Sequence, residues 1–145
     1  NKKEVDRKAE VININGELKV GIAFLTTYEY ETDPSITVKT KSSESGSSGG
    51  LMLSLAIYNA ITKEDITEGK TIVGTGTIDV LGNVGKIDGV KYKILGVGKN
   101  KADLFICPKD NYDEAMKVKK EHNLNINIIS VETFDEAINY LENNL

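Results

Sequence analysis

The first forty residues carry strand-like patterning, and the last sixty alternate short apolar runs with helical stripes. Residues 4–14 and 18–30 read as strands, the second rich in β-branched and aromatic side chains. Asn15-Gly16 between them is a two-residue hairpin signal, because both residue types accept the positive φ that such a turn requires. Residues 35–40, Ser-Ile-Thr-Val-Lys-Thr, alternate polar and apolar. They predict a third, half-buried strand after the Asp33-Pro34 turn.

A low-complexity patch rich in Gly and Ser fills residues 41–50, and a segment apolar on nearly every face follows at 51–61. That pattern predicts a centrally buried helix. After a polar connection at 63–69, residues 71–80 read as a strand, 81–85 as a turn and Lys86-Ile87 as a short returning strand. Asp88-Gly89 opens a helix running to about Asn100, with Val90, Ile94 and Val97 as its apolar stripe. Residues 103–107 form a buried strand stopped by Pro108. An amphipathic helix at 111–123, a strand at 126–131 and a helix at 133–143 complete the order. Thr133 suits the N-cap of that last helix, with Glu136 three residues on as the partner of a capping box. A β-rich first part followed by βαβα predicts an α+β or mixed α/β fold in a single domain over residues 1–145. No internal repeat is present.

Composition narrows the chemistry. The net charge is −4 and the lysines are interleaved with Asp and Glu, so nothing favours a nucleic-acid partner. The single cysteine, Cys107, forms no intrachain disulfide and no thiolate zinc site. The single histidine, His122, stands in a polar helix end, Lys-Lys-Glu-His-Asn, and is expected to be a solvated surface residue. A Ser-His-Asp or Cys-His centre would have to use it, so a catalytic base is expected elsewhere, with no metal and no cofactor. No apolar run reaches the ~18–20 residues that span a bilayer. The chain opens in strand-like sequence and reads as a fragment of a longer protein.

Three short patterns invite a chemical reading. Gly46-Ser47-Ser48-Gly49-Gly50 fits G-x-S-x-G just before a helix. Its glycines permit a sharp turn, and a helix N-terminus offers N–H groups to an oxyanion; composition alone favours a flexible Gly/Ser loop. Gly69-Lys70-Thr71 resembles the end of a phosphate-binding loop, but Glu64 stands where the pattern needs glycine and a strand follows instead of a helix. Lys93 borders the apolar stripe of its helix, beside Val90 and Val97, whereas Lys91 points further away. A lysine partly withdrawn from water gives up its proton more readily and can act as a base; a snorkelling surface lysine fits the same geometry.

Together these segments resemble the proteolytic domain of Lon-type serine proteases. Gly46 to Tyr58 resembles the family's nucleophile motif, G-P-S-A-G followed by an apolar helix. Val73-Gly74-Thr75-Gly76-Thr77-Ile78-Asp79 is similar to the strand that comes next. The run from Gly82 to Lys93 resembles G-x-V-x-x-I-G-G-[IV]-x-x-K, which ends on the catalytic lysine, and Ala102 to Pro108 matches the strand that closes on proline.

The resemblance implies Ser48 as nucleophile, Lys93 as general base and Thr75 as a threonine that hydrogen-bonds the lysine. Gly46, Gly49 and Gly50 would shape the loop and the oxyanion site. It implies a polypeptide substrate held as an extended strand, and an ATP-independent endopeptidase. The detail is closest to the PDZ-linked, ATPase-free bacterial branch. There a membrane anchor and a PDZ module precede the protease on the outer face of the membrane; a cytoplasmic setting is the alternative, and a homo-oligomer fits either. Ser47 replaces the motif's proline, Gly49 its alanine and Asp88 the first glycine of I-G-G. These departures leave a catalytically weak or inactive peptide-binding module as the rival reading.

Overall fold

The computed structural model describes residues 8–20, 31–39, 46–97 and 101–145. The chain divides into two compact units, Asn1–Asp33 and Pro34–Leu145. In the first, β1 (Val11–Ile14) and β2 (Glu17–Val20) form an antiparallel hairpin with Ile14 opposite Glu17. Asn15 and Gly16 both take positive φ, 55° and 87°, as the dipeptide predicted. Asn13 Oδ1 accepts from the Gly16 N–H at 2.9 Å and closes the turn. The other positions expected in these strands, 4–7 and 21–30, lie outside the described residues.

The second unit is mixed α/β. In chain order it holds α1 (Gly50–Ile61), β3 (Ile72–Gly74), β4 (Thr77–Ile78), β5 (Val84–Gly85), α2 (Val90–Val97), β6 (Leu104–Pro108), α3 (Tyr112–Glu121), β7 (Asn127–Val131) and α4 (Phe134–Asn144). A parallel sheet of order β3-β6-β7 forms its centre, and β4 pairs antiparallel with β5 beside it. Every residue of β6 is buried, which explains its unbroken apolar sequence. Its side chains alternate between two cores. Phe105 and Cys107 pack with Val90 and Ile94 of α2 and with Ala115 and Val118 of α3. Leu104 and Ile106 pack with Leu51 and Leu55 of α1 and with Ala137 and Leu141 of α4. The period of two thus sorts the helices onto opposite faces of one sheet.

Four expectations need correction. Residues 71–80 do not form one strand: the chain leaves β3 at Thr75-Gly76 and starts β4 at Thr77. The reason is competition for the main chain. Thr75 N–H still bonds Ile106 O in the sheet, but Gly76 N–H turns to Ser48 O and Gly76 O accepts from Leu51 N–H. The returning strand is Val84–Gly85 instead of Lys86-Ile87, because Asp79 caps the turn early; its carboxylate accepts from the N–H groups of Leu81 and Asn83. Residues 35–39 carry no regular structure; Ile36 and Val38 line a shallow groove with Leu53, Ala56 and Ile57 of α1, so their alternation reflects a helix face. Residue 40 lies outside the described residues. Accordingly α1 is not buried all round: Leu51 and Leu55, one turn apart, face the core while Leu53 and Ile61 stay exposed.

The helix ends follow local chemistry. The Thr133 hydroxyl caps α4 by accepting from Glu136 N–H at 3.2 Å, but the Glu136 carboxylate accepts from Glu132 N–H, one residue before the cap. Beyond α1, the Asp65 carboxylate organises the polar connection. It accepts from the Thr67 hydroxyl (2.8 Å), Thr67 N–H (3.0 Å), Asn59 Nδ2 (3.0 Å) and Gly69 N–H (3.1 Å). The Thr67 hydroxyl, then Thr67 N–H and the Asn59 amide, hold its carboxyl down to about 2.

A carboxyl depressed on folding stabilises the native state above its unfolded value and loses that contribution as pH falls through the folded one. Asp65→Ala should therefore lower the melting temperature near neutral pH. The difference from wild type should close as pH falls from about 4 towards about 2. Melting curves across that range test this; a gap that stays constant to the acid end would remove the carboxylate from the account.

Candidate functional site

A short 3-10 turn, Ser47–Gly49, leads into α1 and carries Ser48 at the helix entrance. Gly49 N–H closes the turn onto Gly46 O at 3.2 Å, and Gly50 N–H bonds Ser47 O. Gly50 sits against β4, where an added Cβ would stand 3.0 Å from Ile78 Cγ2 and 3.3 Å from Ile78 N, so a larger residue there would push on β4. At Gly76 an added Cβ would stand 3.0 Å from Val84 Cγ1 and 3.2 Å from the Leu51 side chain. No atom lies within 4 Å of a Cβ built on Gly49, so the motif's alanine would fit.

The Ser48 carbonyl accepts twice, from Gly76 N–H and from the Thr75 hydroxyl, each at 2.9 Å. Thr75 is fully buried. It was expected to meet the lysine; its hydroxyl instead fixes the backbone of the serine, which anchors the turn to the end of β3. The Thr75 main chain is itself held by Ile106 O of β6 at 2.9 Å.

Lys93 reaches the serine from the other side of the sheet's end. It stands in the first turn of α2, half-buried, and its Nζ lies 3.1 Å from Ser48 Oγ. Lys91 and Tyr92 beside it are exposed. The forty-five positions separating Ser48 from Lys93 are therefore closed by the fold into one hydrogen bond. Chemically, the pair joins a hydroxyl to an amine within proton-transfer distance.

One residue at this end escaped the sequence reading. Asn111 is 1% exposed, and its carboxamide clasps the main chain of Ile87 at both ends. Oδ1 accepts from Ile87 N–H and Nδ2 donates to Ile87 O, each at 2.9 Å. Asn111 follows Pro108 by three residues, at the end of the 3-10 turn between β6 and α3. An asparagine beside a helix start reads as a solvated cap; its sole distinguishing sign was position, just past an apolar strand.

The remaining candidates fall away from this centre. His122 is exposed at the end of α3. Gly69-Lys70-Thr71 leads into β3, and the Gly69 N–H that a phosphate would need is taken by Asp65. Among the described residues no group of three or more His, Cys, Asp or Glu is placed to hold a metal ion. No helix among them is long and apolar enough to cross a membrane.

The family model of the Lon protease (S16) C-terminal proteolytic domain matches residues 37–143. Among curated proteins, the Lon protease of Campylobacter jejuni is 30% identical over 96 residues, 66% of this chain and 12% of its own length. The archaeal Lon protease of Halobacterium salinarum is 31% identical over 93 residues, 64% of this chain and 13% of its own length. Lon protease of Rickettsia prowazekii is 30% identical over 95 residues, 66% of this chain and 12% of its own length. The chain thus spans about an eighth of the curated relatives it matches.

Cys107, the one residue besides serine with a nucleophilic side chain of wide use, faces the core between β6 and α3, with Ile129 O 3.5 Å from its sulfur. Burial pushes its thiol up to about 12, so thiolate is scarce near neutral pH. Native protein should resist a thiol-specific reagent at about pH 8, and denaturant should release one equivalent of rapid reaction. Fast labelling of the native protein would show that this core opens.

Proposed function

The chain belongs to the Lon protease (S16) C-terminal proteolytic-domain family, and on that premise we propose that it is an ATP-independent serine endopeptidase working through a Ser48–Lys93 dyad. The observation that carries the reading is the 3.1 Å separation of Ser48 Oγ and Lys93 Nζ. A bond of that length serves whichever partner holds the proton. Neutral Lys93 takes the proton from Ser48 as the oxygen attacks a peptide carbonyl carbon. The resulting ammonium then protonates the departing amine, leaving an acyl-enzyme. Water attacks that ester with Lys93 again as base, and Ser48 is regenerated.

The N–H groups of Gly49, Gly50 and Leu51 are already spent on Gly46 O, Ser47 O and Gly76 O. Of the loop's other N–H groups, that of Ser48 stands on the reacting residue itself and is the proposed donor to the tetrahedral oxyanion, a position worth about 10²–10³ in rate where such donors are removed. Thr75 contributes by holding the Ser48 carbonyl, which fixes the peptide after Ser48 and so the turn that presents its side chain. The substrate is a polypeptide bound as an extended strand.

Motif wording around Ser48 and Lys93 supports the ATPase-free, PDZ-linked branch, and the matching localisation is an anchored enzyme on the outer face of a bacterial membrane. The inactive-module rival draws on Ser47, Gly49 and Asp88. None of the three takes part in the hydrogen bond that joins Ser48 to Lys93, which supports the enzyme over the module.

Ser48→Ala should lower peptidase turnover by about 10⁴-fold or more with the fold intact, and Ser47→Ala should be far milder. Lys93→Arg should be as damaging as Lys93→Met, since arginine keeps the charge but does not deprotonate near neutral pH. Lys91→Arg should stay close to wild type. Turnover of a fluorogenic peptide measures all five; an active Lys93→Arg enzyme would exclude the lysine as base.

ATP should neither bind this chain nor be required for its turnover. Calorimetric titration with nucleotide and magnesium is expected to show no heat of binding, while a saturable isotherm would contradict the proposal.

A further inference from the structure

We infer that Asn111 is a positioning residue for the dyad, setting where Lys93 stands by clasping the main chain of Ile87. The inference rests on the dyad reading and extends it to a residue that touches neither reacting group.

The argument begins from burial. Among the described residues only two polar side chains are fully buried, Thr75 and Asn111. Each would be costly if unpaired, and neither has an unsatisfied polar side-chain atom. Each gives its side-chain hydrogen bonds to main chain that leads directly to a dyad residue. Thr75 holds the carbonyl of Ser48 itself. Asn111 holds Ile87, three residues before the start of α2, whose fourth residue is Lys93.

The clasp is bidentate and fills both main-chain groups of Ile87, as a neighbouring strand would. Ile87 itself lies outside any strand, since β5 ends at Gly85. The Ile87 side chain is buried in the same core as Val90 and Ile94, so side chain and main chain of that residue are both fixed. Only Asp88 and Gly89 then separate the clasp from the first residue of α2, and Gly89 takes a φ of 73° to turn the chain into it.

Both tethers refer back to one strand. Thr75 is bonded to Ile106 O within β6, and Asn111 stands three residues beyond Pro108, where β6 ends. The separation of Ser48 Oγ from Lys93 Nζ is thereby set through β6 from both sides. A shift of about 1 Å between reacting groups costs up to about 100-fold in rate.

The test compares Asn111→Asp, Asn111→Leu and Asn111→Gln with wild type. In Asn111→Asp the donor to Ile87 O is lost and an acceptor faces it; Asn111→Leu removes both bonds; Asn111→Gln keeps both groups one methylene too far out. Turnover of a fluorogenic peptide is normalised to the folded fraction from circular dichroism at the same temperature. Each variant is expected to lose about tenfold or more in kcat per folded molecule with KM little changed. In a Lys93→Met background the same substitutions should cost nothing further, because a misplaced base and an absent base are the same defect.

An unchanged kcat per folded molecule, a loss that multiplies with Lys93→Met, or a variant that does not fold at all would each overturn the inference; the last would make Asn111 a folding residue alone. Failure of the dyad reading is separable: it shows as activity retained by Ser48→Ala or Lys93→Met themselves, whatever the Asn111 variants do.

Discussion

The structure depends on the burial of β6 on both faces. A strand with no solvent-facing side must have every main-chain group paired and every side chain packed, so it is the least movable object in the fold. Its two ladders, to β3 and β7, fix the register of the sheet, and its alternating side chains decide which helices go where. A buried phenylalanine such as Phe105 contributes about 1.5–3 kcal/mol relative to exposure, and it stands in a row of five buried residues. What the site requires is a fixed reference, and this strand supplies it.

From that reference the chemistry is assembled out of interruptions. β3 stops pairing at Thr75-Gly76, and the main-chain groups released there take hold of Ser48 and Leu51. The chain beyond Pro108 abandons the sheet, and its first buried polar side chain takes hold of Ile87. Ser48 and Lys93 therefore sit where regular structure ends, at helix entrances beside strand exits. There the backbone has bonds to give, yet the neighbouring core allows little motion.

Much of this was legible in the sequence. Asn15-Gly16 gave the hairpin, the unbroken run from Leu104 to Cys107 gave the central strand, and Thr133 gave a helix cap, each through a local rule. Ser48 and Lys93 were singled out through the resemblance to the Lon motifs, and the structure brings their side chains to 3.1 Å. The break at Thr75-Gly76 was not legible, because threonine and glycine in a β-branched run look like strand until a distant carbonyl competes for the glycine N–H. The exposed face of α1 was misread for a related reason: Leu53 and Ile61 are as apolar as Leu51 and Leu55, and only the packed sheet distinguishes them. Asn111 was invisible as a tether because its partner lies twenty-four positions back in the main chain, which carries no sequence identity.

The glycines at the seam between the serine turn and the small sheet constrain how this sequence can drift. At Gly50 and Gly76 any substitution adds at least a Cβ, directed at Ile78 in one case and at Val84 and Leu51 in the other. A change at either codon makes the facing atoms give by a few tenths of an ångström, so its cost is set by how far they can shift. A smaller residue at 78 or 84 removes the nearest atom in each case and lowers that cost. Drift at this seam is consequently coupled: growth at the glycine is cheaper after contraction of the facing side chain, and descendants are expected to carry the two replacements together.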